Sequence, residues 1–112
     1  SLQQKFSFIY DWRFFHEIIQ AEDRQLYLQN IQSLLDPAGH YLSVFFSGHS
    51  PLFGTGSLRI APTGNILYFP TLDEAEEQFS RYFQIIERKL ITVPQKPNLK
   101  VTANYFLMKS LE

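Results

Sequence analysis

The residues best equipped for chemistry lie near the N-terminus, in the stretch Asp11-Trp12-Arg13 and at His16. They follow Phe6-Ser7-Phe8-Ile9-Tyr10, a short aromatic run that predicts a β-strand ending at Asp11. Ligands of open α/β sheets bind beyond the carboxyl ends of the strands, so a carboxylate at this tip can face a cleft. There it can orient a substrate or accept its proton. The alternative is that Asp11 only caps the turn that follows.

The neighbours of Asp11 suggest binding chemistry. Arg13 can hold an anionic group, and the indole of Trp12 can attract a cation. Both residues also fit a plainer interpretation, as an aromatic at the edge of the core and a surface cation. His16 is a natural base near neutral pH, although a hydrogen-bonded structural histidine is the simpler interpretation.

A second candidate position follows the stretch from His40 to Phe46, whose nearly continuous apolar character predicts a strand covered on both faces. Ser47-Gly48-His49 therefore also lies at a carboxyl end. His49 can face a substrate there, or it can simply belong to the loop. The three histidines show no metal-binding spacing and the chain has no cysteine, so the sequence predicts no metal site.

The remaining pattern predicts an alternation of strands and helices in one α/β domain. Two strands joined through a helix should pair in parallel with a right-handed crossover, whereas the last two strands can pair antiparallel. The predicted elements after the first strand are a helical turn at 13–19, a helix from Glu22 to Leu35 stopped by Asp36-Pro37-Ala38-Gly39, the strand at 40–46, a hairpin of Ser57–Ile60 with Asn65–Phe69, a helix opened by a Thr71/Glu74 capping box, a strand at Phe83–Val93, a loop at 94–98 and a strand at Lys100–Lys109.

The composition excludes several classes of protein. A length of 112 residues suits one domain, and 45% hydrophobic with 19% charged residues is typical of a globular chain. A net charge of −1 gives no electrostatic case for a nucleic-acid partner or an anionic membrane. No apolar stretch approaches a membrane-spanning length, and the N-terminus does not read as a signal peptide. Together with the absence of cysteine, this predicts a cytoplasmic protein without a membrane or nucleic-acid partner.

Four stretches together resemble the C-terminal half of class I S-adenosylmethionine-dependent methyltransferases, and most of all the small bacterial and archaeal enzymes similar to thiopurine and tellurite methyltransferases. The resemblance implies a Rossmann-like α/β fold whose mixed sheet ends in antiparallel strands, with the 57–69 hairpin inserted on the substrate side. It implies S-adenosylmethionine as cofactor and a small-molecule methyl acceptor. Asp11 and His16 would be catalytic, Asp11 and Trp12 would contact the cofactor, and Arg13 and His49 would contact the acceptor. The stretches are FIYDWRFFHEI, YLQNIQSLLDPAGHYLSVFFS, GTGSLRIAPTGNILYFPTLDEAEEQF and ANYFLMKS.

One departure from the family is large. The glycine-rich loop and the acidic residue that hold the cofactor in the N-terminal half have no counterpart, and Gly54-Thr55-Gly56 precedes a hairpin instead of a helix. Residues 1–112 are therefore expected to form a single partial domain that is inactive alone and works with the missing N-terminal half. An unpaired edge at the first strand would favour a homo-oligomer. The alternative is a non-enzymatic interaction or dimerisation module derived from such a half.

Overall fold

A four-stranded mixed sheet forms the centre of the computed structural model, which describes residues 4–95 and 98–111. The strand order is β1-β2-β6-β5, and a separate two-stranded hairpin consists of β3 and β4. In chain order, the elements are β1 (Phe6–Trp12), a 3₁₀ turn (Phe15–Glu17), α1 (Ala21–Leu34), β2 (Leu35–Phe46), β3 (Leu58–Ile60), β4 (Ile66–Tyr68), α2 (Leu72–Phe79), β5 (Phe83–Gln95) and β6 (Leu99–Ser110).

The pairing of the strands confirms the predicted topology. β1 and β2 are parallel and are joined through α1, and β6 pairs antiparallel with both β2 and β5. The hairpin of β3 and β4 is present between β2 and α2, as predicted. The fold class is therefore the expected α/β arrangement, with its antiparallel strands at one side of the sheet.

Both helices pack on the same face of the sheet. Leu28 and Ile31 of α1 and Phe79 of α2 share one buried cluster with Tyr41 and Phe106 from the strands. Aromatic rings dominate this cluster; for example, the Phe79 and Phe106 ring centroids lie 4.9 Å apart. The phenylalanines buried in this layer between helices and sheet are Phe15, Phe45, Phe79, Phe83 and Phe106.

The predicted helix-stop residues, Asp36 to Gly39, belong to β2 instead of a loop. They fall in an irregular part of the β1–β2 pairing, where Phe6 is opposite Leu35 and Phe8 is already opposite His40. These residues nevertheless form the hydrogen bond of a local turn, because the Asp36 carboxylate accepts the Ala38 N–H at 3.0 Å. The sequence thus located the break in the helix but not the early start of the strand.

The end of β5 also differs from the prediction. Pro94 and Gln95 were expected in a loop, but they continue β5 opposite Lys100 and Leu99. β5 is at the edge of the sheet, where proline is tolerated because its missing N–H removes no ladder bond on the outer side. Lys96 and Pro97 of the predicted loop lie outside the described residues.

The start of α2 matches its prediction closely. Thr71 accepts the Glu74 N–H, and the Glu74 carboxylate accepts the Thr71 N–H, which completes a capping box. The helix ends at Phe79, and Tyr82, which lies beyond its end, packs against the core. Across residues 4–95 and 98–111, neither helix has the length and apolar character to cross a membrane.

Candidate functional site

The carboxyl end of β1 holds a buried carboxylate, Asp11, which is only 8% exposed. Tyr27 of α1 and Tyr41 of β2 donate to its Oδ2 at 2.6 and 2.5 Å. Ser43, opposite Asp11 in the β1–β2 pairing, donates to Oδ1 at 2.5 Å. Because both oxygens have partners inside the fold, the carboxylate ties β1, β2 and α1 together.

Burial changes the protonation behaviour of this cluster. It raises the pKa of Asp11 above 3.8, although the hydrogen bonds from Ser43, Tyr27 and Tyr41 act to lower it. Burial also raises the pKa of both tyrosines, and the negative charge of Asp11 adds to that effect. Both phenols therefore stay protonated near neutral pH and remain donors to the carboxylate.

Trp12 and Arg13, which complete the tip of β1, differ in how much of the side chain is available. Arg13 has a φ of 65°, which is the left-handed region, and its N–H donates to the Val44 carbonyl at 2.7 Å. Its guanidinium donates to the Pro94 carbonyl, and its Nε is buried without a partner. Trp12 remains 45% exposed. The indole is therefore open to a ligand, while the guanidinium is mostly engaged within the fold.

His16 is buried in the 3₁₀ turn after this tip. Its ring stacks on Phe46 with centroids 4.1 Å apart, and its Nδ1 accepts the Phe46 N–H at 3.0 Å. Burial, and then the nearby charge of Arg13, lower the pKa of His16 to about 4. The neutral ring must carry its proton on Nε2, so that nitrogen is a hydrogen-bond donor and not a base.

A buried arginine that the sequence did not single out orders the loop containing His49. Arg59 of β3 is 4% exposed, and its guanidinium stacks on Phe69 at 4.3 Å. It donates to four loop carbonyls. The acceptors and distances are Gly56 at 2.9 Å, Ser50 at 2.5 Å, Leu52 at 2.9 Å and Gly48 at 3.1 Å.

The loop backbone also packs closely on the chain that leads into α2. The Gly48 N–H donates to the Pro70 carbonyl at 2.9 Å, and a Cβ at Gly48 would lie 2.6 Å from the Phe69 carbonyl oxygen. Only glycine fits this approach. The His49 side chain itself is exposed on the ordered loop.

The structure brings Arg13 and His16 together and leaves Asp11 and His49 apart from them. Arg13 and His16 both lie against Phe46, at the carboxyl end of β2. Asp11 turns to the helix-covered face, and no hydrogen bond or ring contact within the described chain joins His49 to the other candidates. Over the same residues, no group of three histidine, aspartate or glutamate side chains could hold a metal ion.

The residues that sequence reasoning missed are Arg59 and the partners of Asp11. The ring of Tyr27 packs against the core, as its helical spacing with Leu28 and Ile31 favours, but that spacing gives no sign of the hydrogen bond from its hydroxyl group to Asp11. Arg59 lies between Leu58 and Ile60, which are 55% and 68% exposed, so the alternation of β3 is inverted. A buried arginine between two exposed apolar residues has no clear signal in the sequence.

Of the comparisons with known proteins, the one with solved structures identifies the fold. No family model matches the sequence, and no curated protein matches it. The whole chain superposes on a SAM-dependent methyltransferase from Methanosarcina mazei, with a TM-score of 0.77, 18% identity and 64% of that chain covered. It also superposes over its full length on the Burkholderia thailandensis 1,6-didemethyltoxoflavin-N1-methyltransferase, with a TM-score of 0.75, 16% identity and 47% coverage. That structure contains 1,6-didemethyltoxoflavin and S-adenosylhomocysteine.

A third similar structure is an S-adenosylmethionine-dependent methyltransferase from Clostridium acetobutylicum, with a TM-score of 0.73 and 10% identity over 98% of this chain. The present chain spans 60% of its length, so in all three cases it accounts for less than two thirds of the neighbour. At identities this low, the structural matches establish the fold alone. The strand order of the sheet agrees with that fold. The chain has the Rossmann-like fold of the S-adenosylmethionine-dependent methyltransferases, over part of that fold's usual length.

Proposed function

We propose that this chain is part of an S-adenosylmethionine-dependent methyltransferase that acts on a small-molecule acceptor. The observation that supports this best is the match of the entire chain to a methyltransferase structure that contains S-adenosylhomocysteine. The open carboxyl end of β1, where Trp12 is exposed, is the place where ligands of such sheets bind. A cytoplasmic location belongs to the same proposal.

The residues of this chain fit one wall of a cofactor site. When bound, S-adenosylmethionine would supply a methyl group activated by its sulfonium charge. The half-exposed indole of Trp12 suits such a cation, because an aromatic face attracts positive charge. Asp11 does not fit as a direct ligand, since its oxygens already accept three hydroxyl groups. The role of Asp11 in this proposal is to hold the end of β1, and with it Trp12, in place.

The acceptor side of the proposal involves Arg13, His16 and His49. Arg13 lies next to the buried ring of His16, whose Nε2–H can donate to an acceptor or to a water held beside it. His49 is the exposed group on the ordered loop. Binding and orientation account for most of the rate of an in-line transfer, so these groups are proposed to position the acceptor.

The chain alone is proposed to be inactive, because the sequence lacks the glycine-rich loop and the acidic residue of a complete cofactor pocket. The test is calorimetric titration with S-adenosylhomocysteine, first of the chain alone and then of the chain assembled with a polypeptide that supplies the missing half. We expect no saturable binding in the first case and binding near one per chain in the second. A W12A variant should bind at least tenfold more weakly in the assembly. An assembled protein that binds no S-adenosylhomocysteine would contradict the proposal.

The alternative function is an interaction module without catalysis, and the exposed aromatic side chains of β1 favour it. The two proposals differ in what the gene encodes upstream of residue 1. A strand followed by a glycine-rich turn in the same reading frame supports the enzyme. A start codon close to Gln3 supports the module.

A further inference from the structure

A groove with a volume of about 440 Å³ lies between α1 and α2. Each helix lines it with one face, at positions 21, 24, 25 and 28 of α1 and 74, 77, 78 and 81 of α2. Its volume is within the range of about 300–1,000 Å³ that is usual for small-molecule sites. None of the candidate residues at the carboxyl ends of β1 and β2 lines this groove, so it is separate from the proposed cofactor and acceptor site.

Arg24 of α1 places a buried positive charge in the groove. The residue is only 8% exposed, and its guanidinium lies 3.6 Å from the centre of the Tyr68 ring. Its Nε donates to the Gln78 side chain at 3.0 Å, and its Nη1 donates to the Ile18 carbonyl at 2.8 Å. A guanidinium has five N–H donors, so these two bonds leave donors for a further acceptor.

The charge of Arg24 has no counter-ion within residues 4–95 and 98–111, because none of their ion pairs includes it. The Tyr68 ring attracts the cation but carries no net charge. A buried arginine is normally paired with a carboxylate or satisfied by several acceptors. Arg59 illustrates the second case, since it donates to four carbonyl oxygens. Arg24 fits neither case, and an anion bound in the groove would supply the missing charge.

The groove also has a negative side, which restricts the kind of anion. Glu74 and Glu77 line it, and Glu77 pairs with Arg81 only at 3.8 Å, with both side chains more than half exposed. A phosphate group, with about two negative charges, would be repelled by these carboxylates. A carboxylate carries a single charge and matches the planar fork of a guanidinium. A cationic group on the same ligand would suit Glu77.

We propose that the groove between α1 and α2 binds a small zwitterion, an amino acid, with its carboxylate on Arg24 and its ammonium group toward Glu77. Such a ligand contacts both helices at once, so its binding stabilises the folded chain. The site uses none of the residues assigned to methyl transfer. The inference therefore goes beyond the proposed function and does not depend on it.

The test is calorimetric titration of the chain with a panel of free amino acids. We expect at least one of them to bind saturably, at one per chain and at millimolar concentration or below, and to raise the melting temperature. The C-terminal amide of that amino acid lacks the carboxylate and should bind at least tenfold more weakly. Its N-acetyl derivative lacks the ammonium group and should bind at least fivefold more weakly.

The arginine Nε–H resonances of the ¹⁵N-labelled chain locate the bound amino acid. The resonance that disappears in R24K belongs to Arg24 and should shift during the titration. The matched control is Arg59, which is also buried but does not line the groove. Its resonance, identified in the same way with R59K, should stay in place.

Two variants of α1 separate binding in the groove from general charge effects. Gln25 lines the groove, and Gln29, one turn further along, does not; both are exposed. Q25E adds a negative charge next to Arg24 and should weaken binding at least fivefold, whereas Q29E should change the affinity less than twofold. Thermal melts confirm that both variants fold. E77Q should reduce the preference for the free amino acid over its N-acetyl derivative.

Four results would each overturn the inference. They are no binding of any amino acid at millimolar concentration, equal binding of the C-terminal amide, equal effects of Q25E and Q29E, and a titration in which the Arg24 resonance does not move. An assembled protein that binds the amino acid but no S-adenosylhomocysteine would contradict the proposed function and leave this inference intact.

Discussion

At the scale of single residues, Asp11 predicts an unusual dependence of stability on pH. Its folded pKa is raised above 3.8 by burial, so the folded chain binds this proton more tightly than the unfolded chain does. The resulting stabilisation is fully present below pH 3.8 and is lost as the pH rises through the folded pKa. We expect D11N, which cannot ionise, to gain stability relative to the wild type as the pH rises from 4 to 7. Urea unfolding across that range measures the difference.

A second variant tests the cause of that effect. S43A removes the donor to Oδ1, whose hydrogen bond lowers the pKa of Asp11, so the pH at which the stabilisation is lost should move upward. Parallel curves for the wild type and D11N would show that Asp11 does not titrate differently in the folded chain.

His16 acts in the opposite direction. Its folded pKa of about 4 lies below the ordinary 6.5, so its stabilisation is fully present above pH 6.5 and is lost as the pH falls toward 4. The shift corresponds to about 3 kcal/mol at most. H16N keeps an acceptor for the Phe46 N–H but cannot be protonated, so the variant should lose less stability than the wild type over this range. Urea unfolding at pH 4.5 and 7 measures it.

The control for His16 is H49N, at the exposed histidine of the loop. A surface substitution of this kind changes the free energy of unfolding by about 0.5 kcal/mol or less. Equal behaviour of H16N and H49N would mean that burial does not lower the pKa of His16. Because Asp11 and His16 have opposite signs in acid, only the single variants separate their contributions.

At the scale of elements, Arg59 joins the loop after β2 to β3. The R59K substitution keeps the charge but loses the planar fork that reaches four carbonyl oxygens. Unsatisfied carbonyls and the lost stacking on Phe69 should lower the free energy of unfolding by about 2–3 kcal/mol. Hydrogen exchange should also become faster in residues 48–56. Urea unfolding and exchange mass spectrometry measure these changes.

The matched control is R81K. Arg81 forms an exposed ion pair of 3.8 Å with Glu77. Glu77 lies in α2, and Arg81 follows four residues later, just beyond the end of the helix. Such pairs contribute about 0.3–0.5 kcal/mol, so R81K should be nearly neutral. Similar losses in the two variants would show that Arg59 does not hold the loop.

The sequence predicted elements better than it predicted contacts. Periodicity, the capping box at Thr71 and the Ala61–Gly64 turn are local signals, and the structure confirms the elements that they mark. The hydroxyl groups around Asp11 come from positions 16, 30 and 32 residues away, and only the fold brings them together. The position of a carboxylate at the end of β1 could therefore be predicted from the sequence. The orientation of that carboxylate toward the helices could not.

At the scale of the whole molecule, the edge of β1 predicts weak self-association of the chain when no partner is present. Backbone groups at an unpaired edge bind the same edge of another copy, which gives an antiparallel dimer that leaves the exposed aromatic side chains of β1 uncovered. Light scattering should show an apparent mass that rises with concentration, while Trp12 stays accessible to acrylamide. S7K, which adds a charge to the edge strand at an exposed position, should keep the chain monomeric, and T63K, at the exposed β3–β4 turn, should not. A wild-type chain that remains monomeric at millimolar concentration would show that the edge alone is too weak to support association.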